Sequence, residues 1–198
     1  MLSVSLLSLS AYAAPDRAQK WDTGLIIGGL SPVSADGSLE PYWGGNFSYG
    51  INSWSALGMS VGAADFKLKV VDDSGNKISA GKMQSFPIFV DIIFRASSLH
   101  ESLVPYAVLG LGGIVTHKLT SRDLSGGALH IKSSDDFAAK LGLGVDWFYK
   151  SDWIFNLEFN YVYTGAGVDV IRNSDGLALT NENIDYWFLG VGAKHLFE

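Results

Sequence analysis

The chain has no cysteine, so it has neither a disulfide framework nor a thiolate metal site. Charge is scarce: Asp, Glu, Lys and Arg make up 17% of the residues, against roughly 25% in ordinary soluble domains. Positive charge is scarcer still, with 14 Lys and Arg against 20 Asp and Glu and a net charge of −6. No basic cluster forms the stripe that binding to nucleic-acid phosphates requires. Long apolar runs are missing too. Hydrophobic residues reach 47%, yet none of the runs approaches the roughly 18–20 residues of a membrane-spanning helix. A chain this apolar without such a helix has to hide its apolar surface differently. A strand that is apolar at alternate positions does so, presenting one face to lipid or core and the other to a polar space.

What is present begins with a short apolar stretch, Leu2 to Leu9, followed by Ala11-Tyr12-Ala13-Ala14 and Pro15-Asp16. Small residues at Ala11 and Ala13 match the A-x-A signature of a secretory leader, although no positive charge precedes the run. We therefore expect residues 1–14 to be a signal peptide cleaved after Ala13 or Ala14, and 15–198 to be one domain.

From Trp21 onward, period-two segments alternate with turn-rich ones. Trp153, Phe155, Leu157, Phe159, Tyr161 and Tyr163 share one face, opposite Ile154, Asn156, Glu158, Asn160 and Val162. Phe86, Ile88, Val90, Ile92 and Phe94 stand opposite Pro87, Phe89, Asp91, Ile93 and Arg95. Trp187, Leu189, Val191, Ala193, His195 and Phe197 stand opposite Phe188, Gly190, Gly192, Lys194 and Leu196. Extending the pattern predicts eight strands, near 20–29, 42–51, 55–68, 84–95, 104–117, 137–149, 153–163 and 184–197. The connections alternate between short (near 52–53, 96–103 and 150–152) and long (near 30–41, 69–83, 118–136 and 164–183). Such alternation is expected of a closed all-β antiparallel transmembrane barrel with short turns on one side and long loops on the other.

Two features favour a membrane barrel over a soluble one. Trp153 and Tyr163 lie ten residues apart on one face, as do Trp187 and Phe197. Ten tilted strand residues rise roughly 25 Å, the height of the apolar band between two aromatic girdles. The opposite faces carry Asp91, Arg95, Lys140, Asp146, Glu158 and Lys194 together with glycines. A narrow lumen accounts for both, with charges paired because isolated buried charges are too costly. Glu158 is expected to meet Lys140 and Lys194. The repeats Leu109-Gly110-Leu111-Gly112, Leu141-Gly142-Leu143-Gly144 and Leu189-Gly190-Val191-Gly192 place glycine on the inner face. No helix pattern follows them, so they are not a nucleotide-binding loop.

Pro105 to Gly112, Leu141 to Trp153 and the aromatic last strand resemble the small eight-stranded outer-membrane barrels, such as the OmpA-like transmembrane domain and OmpW. The resemblance is general and spans nearly the whole mature chain. It implies residence in the bacterial outer membrane among lipid and lipopolysaccharide, insertion by the barrel assembly machinery through a last strand bearing Phe197, and a monomer without cofactor. No peptidoglycan-binding domain is expected.

Eight strands leave room for little beyond side chains, so the lumen is expected to be plugged. The leading functional expectation is a structural or surface-binding role, with an unidentified extracellular ligand met by the long loops. The second, from the OmpW resemblance, is passage of small apolar molecules. The third is a lipid A-modifying enzyme, for which His117, Ser121, Asp123, His130, Ser133, Ser134 and Asp135 supply the residue types of a Ser–His–carboxylate set. In that stretch, rich in Ser and Asp, such coincidences are common, and no catalytic or metal site is assigned.

Overall fold

A computed structural model describes residues 16–33, 39–71, 77–96, 102–121, 129–133, 136–149, 152–165, 167–172, 178–183 and 185–197. The expected leader cleavage lies outside them. The described elements are all strands: β1 (Trp21–Pro32), β2 (Glu40–Gly50), β3 (Ser55–Val71), β4 (Lys77–Arg95), β5 (Leu103–Ser121), β6 (Leu129–Ser133), β7 (Asp136–Phe148), β8 (Trp153–Thr164), β9 (Gly167–Arg172), β10 (Ala178–Asn183) and β11 (Tyr186–Phe197).

Eight of them close a barrel in the order β1-β2-β3-β4-β5-β7-β8-β11. All neighbours are antiparallel, and β11 returns to β1 with Phe197 opposite Trp21 and Tyr186 opposite Pro32. Closure leaves no sheet edge in the hydrocarbon, which is what lets strands span a bilayer. Burial follows the alternation read from the sequence. Along β8 every odd residue from Trp153 to Tyr163 is exposed and every even residue from Ile154 to Thr164 is buried. The outer wall is a continuous apolar surface, with Leu25 73% and Leu143 63% exposed.

The described residues begin and end, at Asp16 and Phe197, on the same rim as the turn at 51–54, the periplasmic one by the usual orientation of such barrels. One turn is locally encoded. The Asn52 side-chain oxygen accepts hydrogen bonds from the backbone N–H of Trp54 (2.9 Å) and Ser55 (2.7 Å), an Asx turn that reverses the chain.

The other rim differs from expectation. In the stretches 69–83, 118–136 and 164–183, read above as loops, the described residues are largely paired strand. β3 and β4 pair as far as Val71↔Lys77, and β4 and β5 as far as Gly81↔Ser121. Pairing of β2 with β3 stops at Tyr42↔Ala64, and that of β5 with β7 at Ile114↔Asp136. The three strands β3, β4 and β5 therefore continue together beyond the closed part of the barrel. β6, β9 and β10 form a separate three-stranded sheet in the order β10-β9-β6. Beyond the membrane both faces of a strand can meet water, so the apolar alternation that reveals a strand is lost.

One ladder is interrupted within the wall. Between β3 and β4 the register runs to Val61↔Ile88 and resumes at Ala64↔Ser85. The skipped stretch contains Pro87, which has no N–H to give to a neighbouring strand.

The lumen as candidate functional site

The inner face of β8 gives the order of layers inside the barrel: Ile154, then Asn156, Glu158 and Asn160, then Val162. At the periplasmic mouth Ile154 packs with Val104, Phe148 and Leu196. A polar layer follows. The outer half is mostly apolar, with Ile26, Leu30, Phe66, Phe89, Ile114, Val162, Tyr186 and Phe188 in one buried cluster, and the buried Glu40 stands opposite Leu30 at its upper end.

All six charged residues assigned to the lumen are buried: Asp91, Arg95, Lys140, Asp146, Glu158 and Lys194. They form two groups. In the deeper group Lys140 Nζ contacts Asp91 Oδ2 at 2.9 Å and donates to Ser60 Oγ at 2.8 Å. Nearer the periplasm Lys194 Nζ contacts Asp146 Oδ1 at 3.1 Å. Both lysines thus pair with aspartates rather than with Glu158. Glu158 instead accepts hydrogen bonds from the Tyr106 hydroxyl (2.6 Å) and from Asn160 Nδ2 (2.7 Å).

The register explains these partners. Gly110 of β5 lies opposite both Asp91 of β4 and Lys140 of β7. It is a gap between them, and a Cβ there would strike both side chains. Gly144 of β7 likewise separates Tyr106 from Glu158, and its Cβ would collide with the Tyr106 ring. The glycine repeats thus act as spacers, letting long polar side chains reach across an intervening strand.

Two residues missed by the sequence reading complete the periplasmic group. The Arg17 guanidinium bonds to Asp146 and, at 2.6 Å, to Asp22. Arg95 approaches the same Asp22 at 3.5 Å. Arg17 is 3% exposed although it precedes the first strand. The chain there is tied under the barrel by Gln19 N–H to the Gly50 carbonyl (2.7 Å), with Gln19 in the left-handed region at φ 60°. Asp22 was legible, since it alternates inward between Trp21 and Thr23. Arg17 belongs to no period, and no pattern marks it.

The aromatic residues assigned to girdles lie on the outer wall. Trp153 and Phe197 face outward near the periplasmic rim, where His195 is ring-stacked on Phe197 and edge-on to Trp153. Tyr163 and Trp187 lie toward the other rim, at the far ends of β8 and β11 from Trp153 and Phe197.

Among the residues considered for catalysis, His117 and Ser121 are on β5, whereas His130 and Ser133 are on β6, in the second sheet. Asp123, Ser134 and Asp135 lie outside the described residues. Among the described residues no cluster of His, Cys, Asp and Glu suits a metal ion.

The lumen contains two cavities of about 30 Å³ each, one against the apolar cluster and one in the polar layer. A larger concavity, about 460 Å³, lies on the outside of the wall and touches Ile88, Gly112, Gly113 and Phe137. It also reaches Phe89 and Ile114, which belong to the apolar cluster of the lumen. The wall is thin where Gly112 and Gly113 carry no side chain.

An inward polar layer, an outward apolar band and a closed eight-stranded ladder define a small outer-membrane β-barrel. Solved structures agree on the fold. The outer membrane protein OprG of Pseudomonas aeruginosa superposes with a TM-score of 0.66 at 13% identity, over 95% of this chain and 98% of that one. The outer membrane protein AlkL in lipid bilayers gives 0.58 at 20% identity, over 95% and 94%. Neisserial surface protein A gives 0.58 at 15% identity, over 90% and 97%. No protein-family model matches the chain, and no curated protein sequence does.

Proposed function

We propose that the barrel passes small apolar molecules sideways, from its outer apolar lumen into the membrane, while its periplasmic half stays closed to water-soluble solutes. One observation carries this reading: the outer half of the lumen is lined mainly by Ile26, Leu30, Phe89, Ile114, Val162 and Phe188, with the buried Glu40 at its upper end opposite Leu30. A purely structural plug has no need of that division, because ion pairs of the kind seen deeper could fill the whole lumen. The wall beside the apolar half also offers an exit. Pro87 interrupts the β3–β4 ladder and lies opposite Ile114, and the outer concavity reaches Phe89 and Ile114 from the lipid side. At rest the space is filled, with the Tyr42 and Phe188 rings 4.3 Å apart, so passage requires these rings to turn aside.

Uptake of the apolar dye N-phenyl-1-naphthylamine by whole cells tests the reading. Cells making the protein are expected to take up the dye several-fold faster than cells without it. Pro87→Ala restores a donor to the ladder and is expected to slow uptake while leaving a folded, heat-modifiable barrel. Equal rates with and without the protein would sink the proposal.

Recognition at the cell surface is a second reading, and the continuation of β3, β4 and β5 beyond the barrel favours it. Strands of 17, 19 and 19 residues exceed the roughly 9–11 needed to span the bilayer. Binding is commonly carried by segments held on a rigid scaffold.

A further inference from the structure

The outer wall carries a second concavity, on the side of the barrel away from Pro87. Its volume is about 780 Å³, and its lining comes mostly from β1, β11, β8 and β7. β11 lies four strands from β4 in either direction around the barrel. The register shows how the concavity arises. One outward row runs Leu25–Ala193–Phe155–Trp147 across β1, β11, β8 and β7. Ala193 is the one small side chain in that row, so a dent opens between Leu25 and Phe155. Gly192 beside it adds no side chain, and the concavity reaches both Gly192 and the inward residue Asn156. An empty dent would leave its lining without van der Waals partners on one side. At this depth in the bilayer, hydrocarbon is what can fill it.

The dent is continuous with a polar rim. One outward step from Ala193 toward the periplasm stands His195, flanked by Trp153 of β8 and Thr23 of β1. The His195 ring is edge-on to Trp153 and stacked on Phe197, within the aromatic girdle that marks the level of lipid headgroups. Asp152 immediately precedes Trp153. His195 Nε2 and Asp152 Oδ2 are 3.8 Å apart, and the two side chains are 41% and 49% exposed. That separation is beyond hydrogen-bond length, so a small polar group can stand beside both. Imidazole offers an N–H to an anion, and a carboxylate has several acceptor positions for an ammonium. A donor for an anion next to an acceptor for a cation matches a zwitterion.

We infer that this strip of wall holds a phospholipid of the periplasmic leaflet whose headgroup ends in a primary ammonium. An acyl chain fills the dent at Ala193, the phosphate meets the His195 N–H, and the ammonium meets Asp152. A second copy of the barrel fits the strip less well, because docking would strip water from His195 and Asp152 at a cost. A zwitterionic headgroup instead replaces that water with matching charges. The inference stands apart from the proposed passage of apolar molecules, since it concerns the opposite wall and the other leaflet.

The test uses the full barrel in nanodiscs made of equal parts phosphatidylethanolamine and phosphatidylcholine. Native mass spectrometry of the released protein then identifies and counts the lipids it retains. Phosphatidylcholine has the same phosphate, but its ammonium has no N–H to give to Asp152. Retained phosphatidylethanolamine is expected to exceed phosphatidylcholine about threefold, as for an ion pair at an exposed site. Asp152→Asn keeps the side-chain shape and is expected to abolish that preference while lipid is still retained. Ala193→Phe fills the dent and is expected to lose the retained lipid of either kind. Should that variant fail to fold, Ala193→Leu provides the same comparison with a smaller side chain. Equal retention of the two lipids by the unmodified protein overturns the inference. So does a folded Asp152→Asn variant with the preference unchanged, or a folded Ala193 variant that keeps its lipid. A lipid-free dimer would also overturn it, by giving the dent to a second copy.

Discussion

The glycines on the inner face show how a single residue sets the partners of others. Gly144 lies between Tyr106 and Glu158 in adjacent strands, and the 2.6 Å hydrogen bond between those two passes over it. Adding an isopropyl group there forces the Tyr106 ring away and leaves a buried carboxylate with one donor fewer. Gly144→Val is therefore expected to cost about 1–3 kcal/mol from overpacking alone, measured by urea unfolding in lipid vesicles. An unchanged unfolding midpoint would show that the ring has room to move and that the spacer role is wrong. The repeats carrying these glycines were visible in the sequence as inner-face gaps. Which side chains bridge the gaps was not, because that depends on the register between strands. Lys140, Lys194 and Glu158 illustrate the point: they share a face, and strand adjacency alone pairs Glu158 with the two lysines. The actual partners, Asp91 and Asp146, follow from register and reach.

At the scale of the element, what can be read in advance depends on the surroundings of the strand. β8 lies wholly between lipid and lumen, and its twelve residues alternate without exception between exposed and buried. Its bounds were legible to within a residue. The upper parts of β3, β4 and β5, and all of β6, β9 and β10, are not held between lipid and lumen, and the same method missed them. The contrast gives a prediction for β8. Leu157 is 52% exposed on the apolar wall near mid-membrane, so Leu157→Arg is expected to cost about 2–4 kcal/mol. The same substitution at Trp153, the first residue of β8, should cost no more than about 1 kcal/mol as a charge near the interface. The two variants are compared by the same vesicle unfolding. Equal losses would mean that β8 does not cross the bilayer at the assumed height.

On the scale of the whole molecule, the two halves of the lumen differ in what they admit. The periplasmic half is crossed by the Arg17–Asp22–Asp146–Lys194 group and by the apolar contacts of Phe148 and Ile154. The segment containing Arg17 closes the mouth from below, with the guanidinium 5.6 Å from the centre of the Phe148 ring. Ions entering from outside would first have to leave water for the apolar outer half and then displace paired charges. Each step is costly. Purified protein in planar bilayers is accordingly expected to show little steady ion conductance. Arg17→Ala removes the bonds to Asp22 and Asp146 and is expected to raise conductance, or to make brief openings more frequent, while Lys194 still holds Asp146. Apolar dye uptake should change little in that variant, since the proposed exit near Pro87 lies in the other half. A stable open channel in the unmodified protein would replace sideways passage with an aqueous pore. Loss of dye uptake in Arg17→Ala would show that the two halves do not work separately.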